Sequence, residues 1–302
     1  MASLLLVRYG ELALKSAPVR REFERTLQRN ILDQFLAAGD ACRIRSDRGH
    51  LYVEADDLER ASRTLCRVFG VTSVSVVHEV ASDPAAIWVA LKPLTVPLLR
   101  PGSSFAIRAR RVGDHPFSSQ ELARDLGAQV LAAWPALGLK VDLDHPELEI
   151  SVEVRGPRTY LSFDRRRGPG GLPLGVAGRV AALVDGPRGA LGAWLMMKRG
   201  CQCAVVATDS ADPRLREVLH RFDPKSPVGE GVAAGEAPRR LLEIAEASHA
   251  DGIVLPLSVE AYPAARALWT DRVVFSPTVG LTDEEVGSRW EGVVRLSEGE
   301  RA

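Results

Sequence analysis

Near the N-terminus, "SLLLVRY" is an unbroken apolar run of strand length. The next segment, "APVRREFERTLQRNILDQFLAAG", repeats Phe23, Leu27, Ile31 and Phe35 at helical spacing, which predicts an amphipathic helix stopped at Gly39. "RIRSDRGHLYVEA" predicts two short strands about an Asp-Arg-Gly turn, and "LERASRTLCRVFG" a second amphipathic helix ending at Gly70. Closed by "VTSVSVVHEV", the order strand–helix–strand–strand–helix–strand describes a ferredoxin-like unit over residues 1–75.

A second unit spans 76–167. "DPAAIWVALKPLTVPLL" begins a helix that Pro93 and Pro97 shorten or kink. "SSFAIRARRVG" alternates as a strand, with Phe105, Ile107 and Ala109 on one face and Arg108 and Arg110 on the other. "SSQELARDLGAQVLAAW" is a helix with Ser118 or Ser119 as N-cap and Glu121 in its first turn. "LEISVEVRGPRTYLSFDRR" turns back through Gly156-Pro157 as a hairpin. The Gly- and Pro-rich "RRGPGGLPLGVAG" reads as a linker. Residues 168–302 then alternate strand and helix ("RVAALV", "ALGAWLMMKRG", "CAVVAT", "PRRLLEIAEASHA", "DGIVLPL", "RVVFSP"), the pattern of a small parallel α/β sheet.

Composition narrows the classes. Lys+Arg and Asp+Glu both total 39, so net charge alone does not hold this chain to nucleic acid, and any such contact must come from a local basic face. The four cysteines lack metal-ligand spacing and imply no disulfide framework; Cys201 and Cys203 read as small buried hydrophobes beside a strand. No signal peptide and no membrane-length apolar run is present, which implies a cytoplasmic protein.

Two places carry candidate chemistry. Arg108, Arg110 and Arg111 cluster on and beside one strand, followed by His115, Phe117 and the Ser118–Ser119 helix start. Arginines beside aromatic rings and a helix N-terminus suit a single-stranded RNA end, with phosphates on the cations and bases free to stack. Arg8 and Lys15, flanking the first strand, and Arg165, Arg166 and Arg167, before the linker, are second-rank candidates. The other place is "LVDGPRGALGAWLMMKRG", where an apolar strand meets a glycine-containing loop and a helix, the layout of a phosphate-binding turn.

Three strings, "RYGELALKSAPVRREFERTLQRNI", "SFAIRARRVGDHPFSSQELARDLG" and "RRGPGGLPLGVAGRVAALVDGPRGALGAWLMMKRG", occur in the order found in the tRNA 4-thiouridine synthetase (ThiI) family, which this chain resembles over residues 5–203. The resemblance implies α/β and α+β domains in series. These are a ferredoxin-like domain (1–75), a THUMP domain (76–167) and a degenerate PP-loop ATP pyrophosphatase domain (168–302), the last small, parallel and α/β. It implies binding of the tRNA acceptor end by the first two domains. In full members it also implies adenylation of a uridine by ATP, followed by sulfur transfer.

The family loop reads Ser-Gly-Gly-x-Asp-Ser, against Asp185, Gly186, Pro187, Arg188, Gly189 and Ala190 here. Both serines are gone, Pro187 has no N–H to donate, and Asp185 sets a carboxylate where phosphate would lie. Asp185, Gly186, Arg188 and Gly189 are what is left of a nucleotide-binding loop, with Arg188 the one cation it could offer. The family's cysteine-bearing segment is replaced by "GEGVAAGEAPRRLLEI", without cysteine. The expectation is a tRNA-binding protein without catalytic residues, metal or cofactor, serving a separate tRNA-modifying enzyme. A homodimer is left open by the resemblance. The alternatives are an active tRNA sulfurtransferase whose loop is altered or completed by a partner, and a regulator that senses nucleotide without reaction.

Overall fold

The structure, a computed structural model, describes residues 2–10, 16–47, 49–226, 231–268 and 272–299. The N-terminal elements are β1 (Ala2–Tyr9), α1 (Ala17–Ala37), β2 (Arg43–Asp47), β3 (His50–Glu54), α2 (Leu58–Leu65) and β4 (Val71–Ala81). There follow α3 (Pro84–Thr95), β5 (Ser104–Val112), α4 (Ser119–Ala133), β6 (Lys140–Val141), β7 (Leu148–Arg155), β8 (Arg158–Ser162) and β9 (Arg166–Arg167). The last part holds β10 (Arg179–Val184), α5 (Pro187–Lys198), β11 (Gln202–Ala207), α6 (Pro213–Phe222) and α7 (Ala237–Ala247). It ends with β12 (Gly252–Val254), α8 (Tyr262–Leu268), β13 (Val273–Phe275) and α9 (Asp283–Glu298). The described residues form two compact units, one from those within 1–6, 52–54 and 75–165, the other from those within 7–51, 55–74 and 166–302.

In the first unit the strand order is β3-β1-β4-β8-β7-β5-β6. β5 and β7 run parallel, with Arg110 opposite Glu153, while β7 and β8 form the Gly156-Pro157 hairpin. Phe105 and Ile107 from β5 meet Ile150, Val152 and Val154 from β7 beneath Ile87, Leu91, Leu122, Leu126 and Val130 of α3 and α4. α3 continues through Pro93 and ends before Pro97. Thr95 returns its hydroxyl to the carbonyls of Leu91 and Lys92. A second cluster places Tyr52 and Tyr160 with ring centroids 4.8 Å apart among Leu4, Leu6 and Val77.

The second unit contains an all-parallel sheet in the order β11-β10-β12-β13. Strand alternation divides β10 between two cores. Val180, Ala182 and Val184 face α5, α6 and α9, and Ala181 faces α7. Phe69, just after α2, closes the larger core, with ring centroids 5.7 Å from Trp194 and 5.4 Å from Phe222. Gln34 of α1 adds side-chain hydrogen bonds to the carbonyls of Arg221 and Phe222, both 3.0 Å.

The segment expected to be a linker is a packed strap. Gly168 and Gly170 donate to the Thr72 and Val71 carbonyls, and Gly70 donates to Gly170. A Cβ at Gly168 would stand 2.3 Å from the Val71 oxygen, and one at Gly171 2.1 Å from the Lys198 oxygen. The glycines there allow backbone to lie on backbone, and the segment is no hinge. The expected helix over "LERASRTLCRVFG" stops at Leu65, and the residues up to Gly70 form turns. α6 and α9 were absent from the sequence expectation, although Leu215, Val218, Leu219 and Phe222 mark one face and Thr282 with Glu285 forms a capping box.

Candidate nucleic-acid interface

β5 carries the expected arginine cluster, but its three members do different work. Arg108 donates to Glu149 at 3.2 Å and to the carbonyl of Leu143, so it ties β5 to the chain entering β7. Arg111 donates to the Gly113 and His115 carbonyls at 3.1 and 3.5 Å and so sets the curvature of the loop that follows. Arg110 is exposed and has no ion-pair partner among the described residues. Its register neighbour Glu153 is buried and paired with Arg155 at 3.1 Å. Among the three, then, Arg110 alone leaves its guanidinium without a partner among the described residues, while Arg111 is exposed but tied to the loop.

In the loop, the His115 and Phe117 rings lie 5.5 Å apart, 30° from parallel. Phe117 packs against the core under α3 and α4, so one face of the pair is committed to the fold. Ser118 caps α4, accepting from the Glu121 amide at 3.1 Å while Glu121 accepts from the Ser118 amide at 2.8 Å. Those bonds hold the Glu121 carboxyl below its usual range. Ser119 opens the helix beside that carboxylate, so this N-terminus is already served by an acid and is a poor seat for phosphate.

The second-rank candidates separate sharply. Arg166 is only 4% exposed and donates to both Glu59 carboxylate oxygens, at 2.5 and 2.6 Å. It is a structural ion pair, and RNA cannot reach it. This corrects the expectation, because the β9–β4 register, Val74 against Arg166, turns that side chain inward. Arg165 and Arg167 are exposed. The Arg8 carbonyl accepts from the Thr72 hydroxyl, and Lys15 lies outside the described residues.

In the parallel sheet, the connection leaving β10 runs to β11 on one side, whereas that leaving its neighbour β12 runs to β13 on the other. That makes the carboxyl end of β10 a topological switch point, where α/β sheets place ligands. The Asp185–Ala190 loop occupies it, and α5 starts there without a side-chain cap. Partial desolvation pushes the Asp185 carboxyl up, although the residue as a whole is exposed. Gly189 is pressed onto β10, and a Cβ there would lie 2.5 Å from the Leu183 oxygen. The expected cation is not offered to the loop. Arg188 donates to the carbonyls of Thr278 (2.7 Å) and Leu281 (2.8 Å) and to Asp283 (2.8 Å), and is consumed by the segment leading into α9. A triphosphate would meet no hydroxyl at Ala190, no amide at Pro187 and a carboxylate at Asp185, so these residues do not fit it. Replacing Arg188 with Met should lower stability by about 1–3 kcal/mol, because two part-buried carbonyl acceptors lose their donor. A urea midpoint equal to wild type would show that the tether is ornamental.

Among the described residues no group of His, Cys, Asp or Glu could hold a metal, and no helix is long and apolar enough to cross a membrane. Burial pushes the thiols of Cys201 and Cys203 up, which suits packing rather than nucleophilic sulfur.

The ThiI ferredoxin-like domain model matches residues 4–75 and the THUMP domain model residues 85–164. A probable tRNA sulfurtransferase of Methanothermobacter thermautotrophicus is 38% identical over 214 residues, covering 69% of this chain and 53% of its own length. The tRNA sulfurtransferase of Pyrobaculum aerophilum is 36% identical over 212 residues, 67% of this chain and 41% of that one. The chain thus spans about half the length of these relatives. The crystal structure of PH1313 from Pyrococcus horikoshii superposes with a TM-score of 0.79 at 26% identity, covering 97% of this chain and 99% of that one. A 4-thiouridine synthetase–RNA complex with bound ATP shares the fold, with a TM-score of 0.73 at 21% identity over 98% of this chain and 86% of that one. With its ferredoxin-like and THUMP domains followed by a parallel-sheet domain, the chain belongs to the tRNA 4-thiouridine synthetase (ThiI) family.

Proposed function

We propose that this protein binds the acceptor end of tRNA through its THUMP domain and presents it to a separate modifying enzyme, its own ATP pyrophosphatase chemistry having been lost. The loop after β10 weighs most. Its strand and helix are kept because they pack, whereas its one cation serves Thr278, Leu281 and Asp283. Relatives named as tRNA sulfurtransferases, and a neighbour of the same fold named as a complex with RNA, support RNA as the partner.

The binding test centres on Arg110, the member of the strand cluster left unpaired. Arg110→Glu should weaken binding of a deacylated tRNA by roughly tenfold or more, the worth of about 1.5–3 kcal/mol for a charge-assisted bond. It should also flatten the salt dependence by about one phosphate contact. Arg108→Gln should act mainly on stability, since that side chain is tied to Glu149 and Leu143. If Arg110→Glu binds as tightly as wild type across a salt series, the THUMP strand is not the RNA surface. Removing the 3′ CCA from the tRNA tests the loop, where the His115–Phe117 pair is the group available for stacking.

A further inference from the structure

Asp223 is the C-cap of α6 and is only 6% exposed. The Lys225 amide donates to its carboxylate at 3.2 Å. No cation pairs with it among the described residues, because the Lys225 ammonium turns to Asp33 at 2.6 Å. Burial pushes this carboxyl up. A buried acid without a counter-ion is costly to keep, so what it faces matters.

It faces a cavity of about 170 Å³ at the amino edge of the parallel sheet. The cavity lies between the first residues of β10 and β11, with Val180, Cys203 and Ala204 as apolar walls. α6 and α7 both end beside it, at Asp223 and Ser248, and helix C-termini favour positive charge. Arg179, which is exposed, lines it too. Its guanidinium donates to Gln202 Oε1 at 3.1 Å and to the Ser248 carbonyl at 3.3 Å, and no carboxylate pairs with it among the described residues. One cavity thus carries a carboxylate and a guanidinium that are paired neither with each other nor with another charged side chain among the described residues.

We infer that this cavity binds a small zwitterion, an amino acid with a short uncharged stem, its ammonium on Asp223 and its carboxylate on Arg179. An ammonium against Asp223 supplies the missing counter-charge, and a guanidinium is suited to hold a carboxylate. Val180, Cys203 and Ala204 suit the methylenes between them. The volume is close to the roughly 150 Å³ that holds a benzene ring, which limits the ligand to about six or seven non-hydrogen atoms. A dication of that length would set its second charge against Arg179, and a dianion would set one against Asp223. The site stands at the opposite end of β10 from the Asp185 loop and is independent of tRNA binding.

Calorimetric titration of the full chain at neutral pH and low ionic strength tests this. The probes are alanine, β-alanine and γ-aminobutyrate, with putrescine and succinate as the dication and dianion. At least one zwitterion is expected to bind with a dissociation constant of roughly a millimolar, the affinity that about six atoms support. Putrescine and succinate are expected to bind at least about tenfold more weakly, each lacking one charge-assisted contact. Asp223→Asn and Arg179→Gln are each expected to weaken the zwitterion by about tenfold. Arg179 is exposed, so R179Q remains decisive even if D223N fails to fold. No zwitterion binding at concentrations of tens of millimolar would overturn the site. Putrescine or succinate binding as tightly as the zwitterions would overturn the ligand class. Zwitterion binding that R179Q leaves unchanged would overturn its placement in this cavity.

Discussion

Replacing Glu59 with alanine should destabilise the protein by about 3 kcal/mol, because it strands the nearly buried Arg166 guanidinium without its counter-ion. The lower end of the range for a broken buried pair applies, since the Glu59 side chain is itself 49% exposed and also serves Arg63 at 3.1 Å. The double variant E59A/R166M should recover much of the loss, an apolar side chain being easier to bury than an unpaired charge. The pair also sets an acid limit. The hydrogen bond from Arg166 holds the Glu59 carboxyl below its ordinary value of 4.5 in the folded state. Its contribution is therefore fully present above that value and is lost as pH falls through the depressed folded one. Urea midpoints of wild type should drop over that interval, and those of E59A should drop less. A midpoint for E59A within about 0.5 kcal/mol of wild type at pH 7 would show that the pair adds nothing.

No AMP or pyrophosphate should form from ATP when the purified protein is given tRNA and a sulfide donor. Each preorganised donor missing from a site of this kind costs about a hundred- to a thousandfold in rate. Here the loop lacks hydroxyls at Asp185 and Ala190 and an amide at Pro187, while Arg188 is held by Thr278, Leu281 and Asp283. Asp185→Ser, Pro187→Gly, Gly189→Asp and Ala190→Ser together should not restore turnover. The Gly189 change would in addition drive a Cβ into the Leu183 carbonyl and unsettle the end of β10. tRNA-dependent AMP, or thiolated tRNA, made by the wild-type chain alone would show it to be an active sulfurtransferase with an altered loop.

Much of this architecture is legible in the sequence because the apolar spacing is strong. Leu27, Ile31 and Phe35 do form the buried side of α1, and Val180, Ala182 and Val184 do alternate into the parallel-sheet core. Hydrophobic period and capping are local properties, so a window of a few residues contains them. Which arginine is free is not local. Arg108 meets Glu149 across 41 residues, Arg166 meets Glu59 across 107, and Arg188 meets the Thr278 carbonyl across 90. From spacing all three look like the unpaired Arg110. The strap at Gly168–Gly171 misleads for a related reason. A glycine that permits close backbone contact and one that loosens a linker are the same letter, and only the partner carbonyl tells them apart.

The corner after α2 carries a further consequence, for the order in which the chain can fold. Phe69 needs Trp194 and Phe222 to cover it, and Arg67 donates to the carbonyl of Ser297, 230 residues away, at 2.6 Å. During synthesis this corner waits, its aromatic ring and guanidinium unsatisfied, while the 230 residues that separate Arg67 from Ser297 are made. Contacts of such long separation close late and slowly, after their loop entropy has been met. The corner after α2 is thus finished only when α9 has been made, and a nascent chain halted before α9 should present the Phe69 corner to chaperones rather than a completed domain.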